Sequence, residues 1–131
     1  MPISRSSISA GLRESIVKRA NSRCEYCCLP EISSALSFQI DHIYPVKHGG
    51  ATSYENLAFS CPLCNRNKGS DIAAIDPLTH ELTALFNPRI HNWAEHFEIV
   101  DGRVYGKTAI GRVTAIILRF DDPRRIYIVD S

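Results

Sequence analysis

Two pairs of cysteines carry the clearest chemical signal in this 131-residue chain: Cys24 with Cys27, and Cys61 with Cys64. A two-residue gap lets both sulfurs of a knuckle face one ion. Two such knuckles complete a tetrahedral set of four thiolates, the donor set of a structural zinc. A closed set of this kind leaves no coordination position for a reactant, so its ion serves the fold. The 33 residues between Cys27 and Cys61 exceed the about 15–20 of a zinc ribbon, so further chemistry is inserted between the knuckles. Cys28 is a fifth cysteine, read as a packing residue. An odd count suits a disulfide framework poorly, and clustered cysteines in a reducing compartment are metal ligands more often than bridges.

The insert contains an adjacent acid and imidazole, Asp41-His42. A carboxylate offers the hard oxygen that Mg²⁺ prefers. Imidazole titrates near neutrality and suits a general base. Neighbouring residues of a strand point to opposite faces, so one member of the pair can grip a metal ion while the other addresses water. Asn65 follows Cys64 directly, and a metal-bound knuckle would hold it in place.

The elements that must position these residues are short. Ile8, Leu12, Ile16 and Ala20 recur every fourth residue, which predicts an amphipathic helix over 10–20 with Ser9 as its cap and Asn21 at its exit. Residues 37–40 alternate polar and apolar and predict a strand running into Asp41-His42. A loop from Pro45 to Thr52 contains Gly49-Gly50, and a second short strand is expected over 56–60. Pro62, which needs no N–H early in a helix, opens a helix reaching Lys68.

Beyond Gly69 the chemistry thins. Asp76-Pro77 and Asn87-Pro88 are expected to bracket a hairpin, with residues 81–86 as one strand. A second hairpin is expected over 97–105, turning at Asp101-Gly102. Thr108 is the expected cap of a helix whose apolar face is Ile110, Val113, Ile117 and Phe120 and which Asp122-Pro123 ends. A last strand is expected over 125–129. Trp93 and Phe97 stand at helical spacing and are read as core. His80, His91 and His96 are read as surface or structural histidines.

Composition is that of an ordinary globular domain, with 44% hydrophobic and 22% charged residues. The apolar run 115–118, which no other exceeds, falls far short of the roughly 18 residues of a membrane span. The N-terminal residues lack an apolar signal core, so a cytoplasmic location is expected. The net charge of +1 alone argues weakly against a polyanion partner, but the charge is segregated. Residues 1–23, 24–70, 71–101 and 102–131 carry nets of +4, −1, −5 and +3. Basic faces at the two ends are therefore expected, one from Arg5, Arg13, Lys18 and Arg19, another from Arg112, Arg119, Arg124 and Arg125.

Taken together, C24EYC27, D41HIYP45, H48GG50, N56L57 and C61PLCNRNKG69 resemble the HNH endonucleases, or ββα-metal nucleases, in order and spacing. The resemblance covers Cys24 to Gly69. It implies an α+β fold: a ββα-metal core over 24–70 with two CxxC zinc knuckles, an N-terminal helix and basic arm over 1–23, and a C-terminal β-hairpin and helix extension over 71–131. It also implies a metal-dependent DNA endonuclease. His42 takes the role of general base, and Asp41 and Asn65 are the ligands of a catalytic Mg²⁺. Asn56 tethers the loop and orients the histidine. Asn65 stands where the family often has histidine, and this oxygen donor favours Mg²⁺ over softer ions, with Mn²⁺ or another divalent ion as the alternative. Metal chemistry suits the task, because a divalent ion neutralises the phosphate and helps the leaving oxygen. His48, Lys47, Arg66 and Lys68 are candidate nucleic-acid contacts. Double-stranded DNA is the expected partner, and a homodimer would supply a second site for a double-strand break. The alternative is a zinc-stabilised nucleic-acid-binding module without catalysis.

Overall fold

Residues 8–125 are described by the computed structural model, in which the chain divides into two units between Asn65 and Arg66. The expected contribution of Arg5 and the expected strand after Arg125 lie outside the described residues. Small two-stranded sheets and short helices make the fold α+β. No helix among the described residues is long and apolar enough to cross a membrane.

The first unit opens with helix α1, Ala10–Arg19. Its cap is the predicted one: the Ser9 hydroxyl accepts from Leu12 N at 3.1 Å, satisfying one of the amides that a helix start leaves without a partner. Ile16 on its inner face is fully buried. Strands β1, Gln39–His42, and β2, Leu57–Ser60, pair antiparallel, with Asp41 opposite Ala58 and His42 opposite Leu57. Every residue of β2 is buried. Phe38 and Phe59 pack as a tilted pair with centroids 5.3 Å apart and, with Ile16, Ile40, Ile43 and Leu57, form this unit's core. Helix α2, Pro62–Lys68, follows β2 after Cys61 alone.

Among the described residues, the second unit holds two hairpins and, beyond α2, two α-helices. Strands β3, Ala73–Ile75, and β4, Leu82–Ala84, are antiparallel. Asp76-Pro77 lies inside their turn instead of before the hairpin. The Asp76 carboxylate accepts from Thr79 N at 3.1 Å and its carbonyl accepts from His80 N at 2.8 Å. An aspartate that hydrogen-bonds its own downstream backbone builds a turn, which makes the hairpin shorter and earlier than expected. Helix α3, Trp93–His96, leads into β5, Phe97–Val100, and β6, Arg103–Gly106, which turn at Asp101-Gly102 as predicted. Both turn residues have positive φ, 51° and 78°, the requirement of the tight hairpin turn.

Helix α4, Ala109–Ile117, is capped by Thr108, whose hydroxyl accepts from Gly111 N at 3.1 Å. It ends earlier than Asp122-Pro123 implies, because Arg119 adopts left-handed φ, 57°, and turns the chain so that Phe120 re-enters the core. Gly111 is required by proximity: a Cβ there would sit 2.0 Å from the His96 carbonyl oxygen. Phe86, Phe97, Val113, Leu118 and Phe120 are buried together. The Trp93 and Phe97 rings lie 5.1 Å apart, the packing role expected of them.

Candidate active site

The first knuckle hangs from β2. Glu25 N donates to Phe59 O at 2.8 Å, and Phe59 N donates back to Glu25 Oε1 at 2.9 Å. Because β2 runs straight into Cys61, the second knuckle starts beside the first. The Cys27 and Cys61 sulfurs are 3.7 Å apart. The four ligand atoms of Cys24, Cys27, Cys61 and Cys64 all lie within 4.8 Å of one another, and all four residues are buried. Zn–S bonds of about 2.3 Å at tetrahedral angles space the sulfurs by about 3.8 Å, so the cluster has the size of a zinc site. Hydrogen bonds from the other three cysteines pull the Cys61 thiol far down, while burial pushes Cys24 and Cys64 up. Four buried sulfurs can all be thiolates only against a cation, so the donor set fits zinc. Cys28 stands outside the cluster, and burial pushes its thiol up to about 12.

Asp41 is only 4% exposed. Its Oδ2 accepts the Tyr26 hydroxyl at 2.8 Å. Burial, reinforced by the neighbouring Asp41 charge, holds the Tyr26 phenol well above its usual range, so it stays a donor. Gln39 shares the Asp41 face of β1, two residues along. The Asn65 side-chain amide donates to Gln39 Oε1, which brings Asn65 to that face. Its other end, Oδ1, is buried with no hydrogen-bond partner among the described residues. A buried carbonyl oxygen left without a donor is costly, and a hard cation would satisfy it. The donor chemistry of the Asn65 oxygen and the Asp41 carboxylate suits a hard divalent ion.

His42, at the end of β1, is half-buried, and its Nε2 meets Thr52 Oγ1 at 2.8 Å. The loop carrying Thr52 is clamped by Asn56. Its Nδ2 donates to Tyr44 O at 2.9 Å and to Ala51 O at 2.8 Å, and its Oδ1 accepts from Tyr44 N at 2.9 Å. Gly50 makes the close approach possible: a Cβ there would lie 1.7 Å from Tyr44 O and 2.8 Å from Asn56 Nδ2. Ile43 N donates to Asn56 O at 2.8 Å, so the same residue also fixes the backbone just after His42.

Residues 24–71 match the HNH endonuclease family. The matched segment includes all four clustered cysteines together with Asp41, His42, Asn56 and Asn65, and the match suggests a nuclease or nucleic-acid-related function. No curated protein and no solved structure matched the chain.

Outside this constellation the charged residues are more engaged than expected. In the HNH segment Lys47, His48 and Arg66 are exposed, but Lys68 is 2% exposed and its ammonium is not offered to solvent. Arg13 donates to Phe38 O at 3.2 Å and Arg19 to Tyr54 O at 2.7 Å, so two members of the expected N-terminal patch brace the fold. In the second unit Arg112 pairs with Asp76, Arg119 with Asp121 and Arg124 with Asp122. Arg125 is buried and donates to Leu118 O at 2.6 Å. The second basic face is thus largely neutralised. Sequence reasoning missed Tyr26, Gln39 and Thr52. Gln39 alone had a readable signal, its place two residues before Asp41 on one strand face.

Proposed function

We propose that the protein is a metal-dependent HNH-type DNA endonuclease that hydrolyses phosphodiester bonds. The observation that carries this reading is the occurrence within one small unit of a half-buried imidazole, His42, and two oxygen side chains, Asp41 and Asn65, the second of which has a buried oxygen that nothing among the described residues satisfies. His42 is the general base, the role that imidazole suits in activating water, and the Thr52 hydroxyl that meets its Nε2 steers the ring. Asp41 and Asn65 hold Mg²⁺, or Mn²⁺ in its place. The bound ion supplies charge neutralisation of the scissile phosphate and stabilisation of the leaving oxygen. Asn56 keeps the loop closed so that the His42 ring does not drift from the phosphate. Lys47, His48 and Arg66 contact phosphates on a double-stranded substrate. The zinc of the four cysteines is structural, and the products carry 5′ phosphates and 3′ hydroxyls. One site per chain nicks a duplex, and a homodimer makes the double-strand break.

The test is plasmid nicking in zinc-replete buffer with and without Mg²⁺. The expected result is Mg²⁺-dependent nicking that His42→Ala abolishes. Salt-dependent DNA retention without nicking, unchanged by Asp41→Ala and by Mg²⁺, would establish the zinc-stabilised binding module instead.

A further inference from the structure

We infer that Tyr26 is a positioning residue through which the zinc knuckle controls divalent-metal binding at Asp41. This rests on the reading of Asp41 as a metal ligand. Tyr26 lies between two of the clustered cysteines, Cys24 and Cys27, and is 1% exposed. Its neighbour Glu25 is bonded twice to Phe59 of β2, and Cys27 stands against Cys61. The phenol therefore has little freedom of its own: its ring goes where the knuckle goes. Its hydroxyl ends at Asp41 Oδ2, 2.8 Å away. Asp41 sits opposite Ala58, next to the Phe59 that anchors the knuckle. A carboxylate can rotate about its terminal torsion, which is broad and shallow, and a hydrogen bond from a rigid donor removes that freedom. Outer partners of this kind set the orientation of a ligand, and their loss costs metal affinity. A tyrosine inside a knuckle thus does more than fill the core. It makes the geometry of the oxygen site depend on the sulfur site, although Asp41 contributes nothing to the zinc.

The experiment compares Tyr26→Phe, which keeps the ring and removes the donor, with the unaltered protein. Zinc content is expected to stay at one per chain. Mn²⁺ affinity, read directly from the electron paramagnetic resonance of the free ion, is expected to fall about tenfold. The Mg²⁺ concentration for half-maximal nicking should rise by a similar factor. In an Asp41→Asn background Tyr26→Phe should have no further effect on Mn²⁺ binding. Equal Mn²⁺ affinity in the two proteins, with binding still lost in Asp41→Asn, overturns the role of Tyr26 and leaves the nuclease reading standing. Absence of any Asp41-dependent Mn²⁺ binding overturns both. A second measurement keeps the buried phenol in place: 3-fluorotyrosine at position 26 should give a fluorine resonance that shifts on Mg²⁺ addition, and not in Asp41→Asn. A resonance unmoved at Mg²⁺ concentrations that saturate nicking overturns the inference.

Discussion

Asn56 and Tyr44 are joined by a reciprocal pair of hydrogen bonds, amide to carbonyl in each direction, both 2.9 Å long. The side chain of one residue thereby imitates a strand partner for the backbone of the other and closes the loop that follows His42. Asn56→Ala leaves these backbone groups without a partner. Unfolding in urea should show a loss of about 3 kcal/mol, and nicking should fall well beyond what the lost folded population explains. Asn56→Asp tests the geometry more narrowly, since a carboxylate keeps the acceptor and loses both donated bonds. Wild-type activity in that variant would sink the positioning role.

The zinc site makes a separate prediction. Elemental analysis should give one zinc per chain, and Cys61→Ala should abolish it. Because both knuckles anchor on β2, loss of the ion should melt the strand pair cooperatively, visible by circular dichroism, and not merely slow the reaction. Cys28→Ala should retain the zinc, as its sulfur lies outside the cluster. A stable, zinc-free fold in Cys61→Ala contradicts this account.

Arg112 grips Asp76 with two bonds of 2.9 Å, and the Asp76 side chain is fully shielded from solvent. The guanidinium holds the Asp76 carboxyl far below the usual carboxylate range. A depressed acid favours the folded state above its unfolded pKa, and the advantage disappears as pH falls through the folded value. The second unit should therefore lose stability below about pH 4 in a step that Asp76→Asn removes. Thermal melts of the two proteins between pH 6 and 2.5 would reveal parallel curves if the pair contributed nothing.

His91 predicts a milder dependence nearer neutrality. Burial, with His96 beside it, lowers its pKa, and its Nδ1 accepts from Asn87 N at 2.9 Å, a bond that a protonated Nδ1 cannot accept. The folded state thus prefers the neutral ring. Its contribution is complete above the unfolded value of about 6.5 and declines as pH falls below it. His91→Gln should flatten the stability profile between pH 7.5 and 5.5. Nuclear magnetic resonance titration of the ring checks the direction independently, and a raised pKa would refute it.

What was legible in the sequence was what is decided locally. Ser9 and Thr108 cap helices because a hydroxyl before a periodic run reaches its own amides. Asp101-Gly102 turns a hairpin because both residues tolerate positive φ. The two knuckles are legible because their spacing is itself the geometry. Partnerships across the chain were not. Tyr26 meets Asp41 only after β1 and β2 choose their register, and Thr52 meets His42 only after Asn56 closes the loop. The engagement of the basic residues was illegible for the same reason. Counting charge along the sequence cannot show that Asp76 is folded back to Arg112, or that Arg19 is spent on the carbonyls of Tyr54 and Leu57.

The placement of the knuckles also matters before the protein is folded. Cys27 and Cys61 are 34 positions apart, and Asp41, His42, Thr52 and Asn56 all lie on the loop between them. Cross-linking a loop of that size removes about 4 kcal/mol of conformational freedom from the unfolded chain. The ion therefore narrows the search by which the acid, the base and the clamp find one another. A chain that meets zinc early assembles these residues inside a tethered ring, whereas a metal-starved chain must gather them from an open coil.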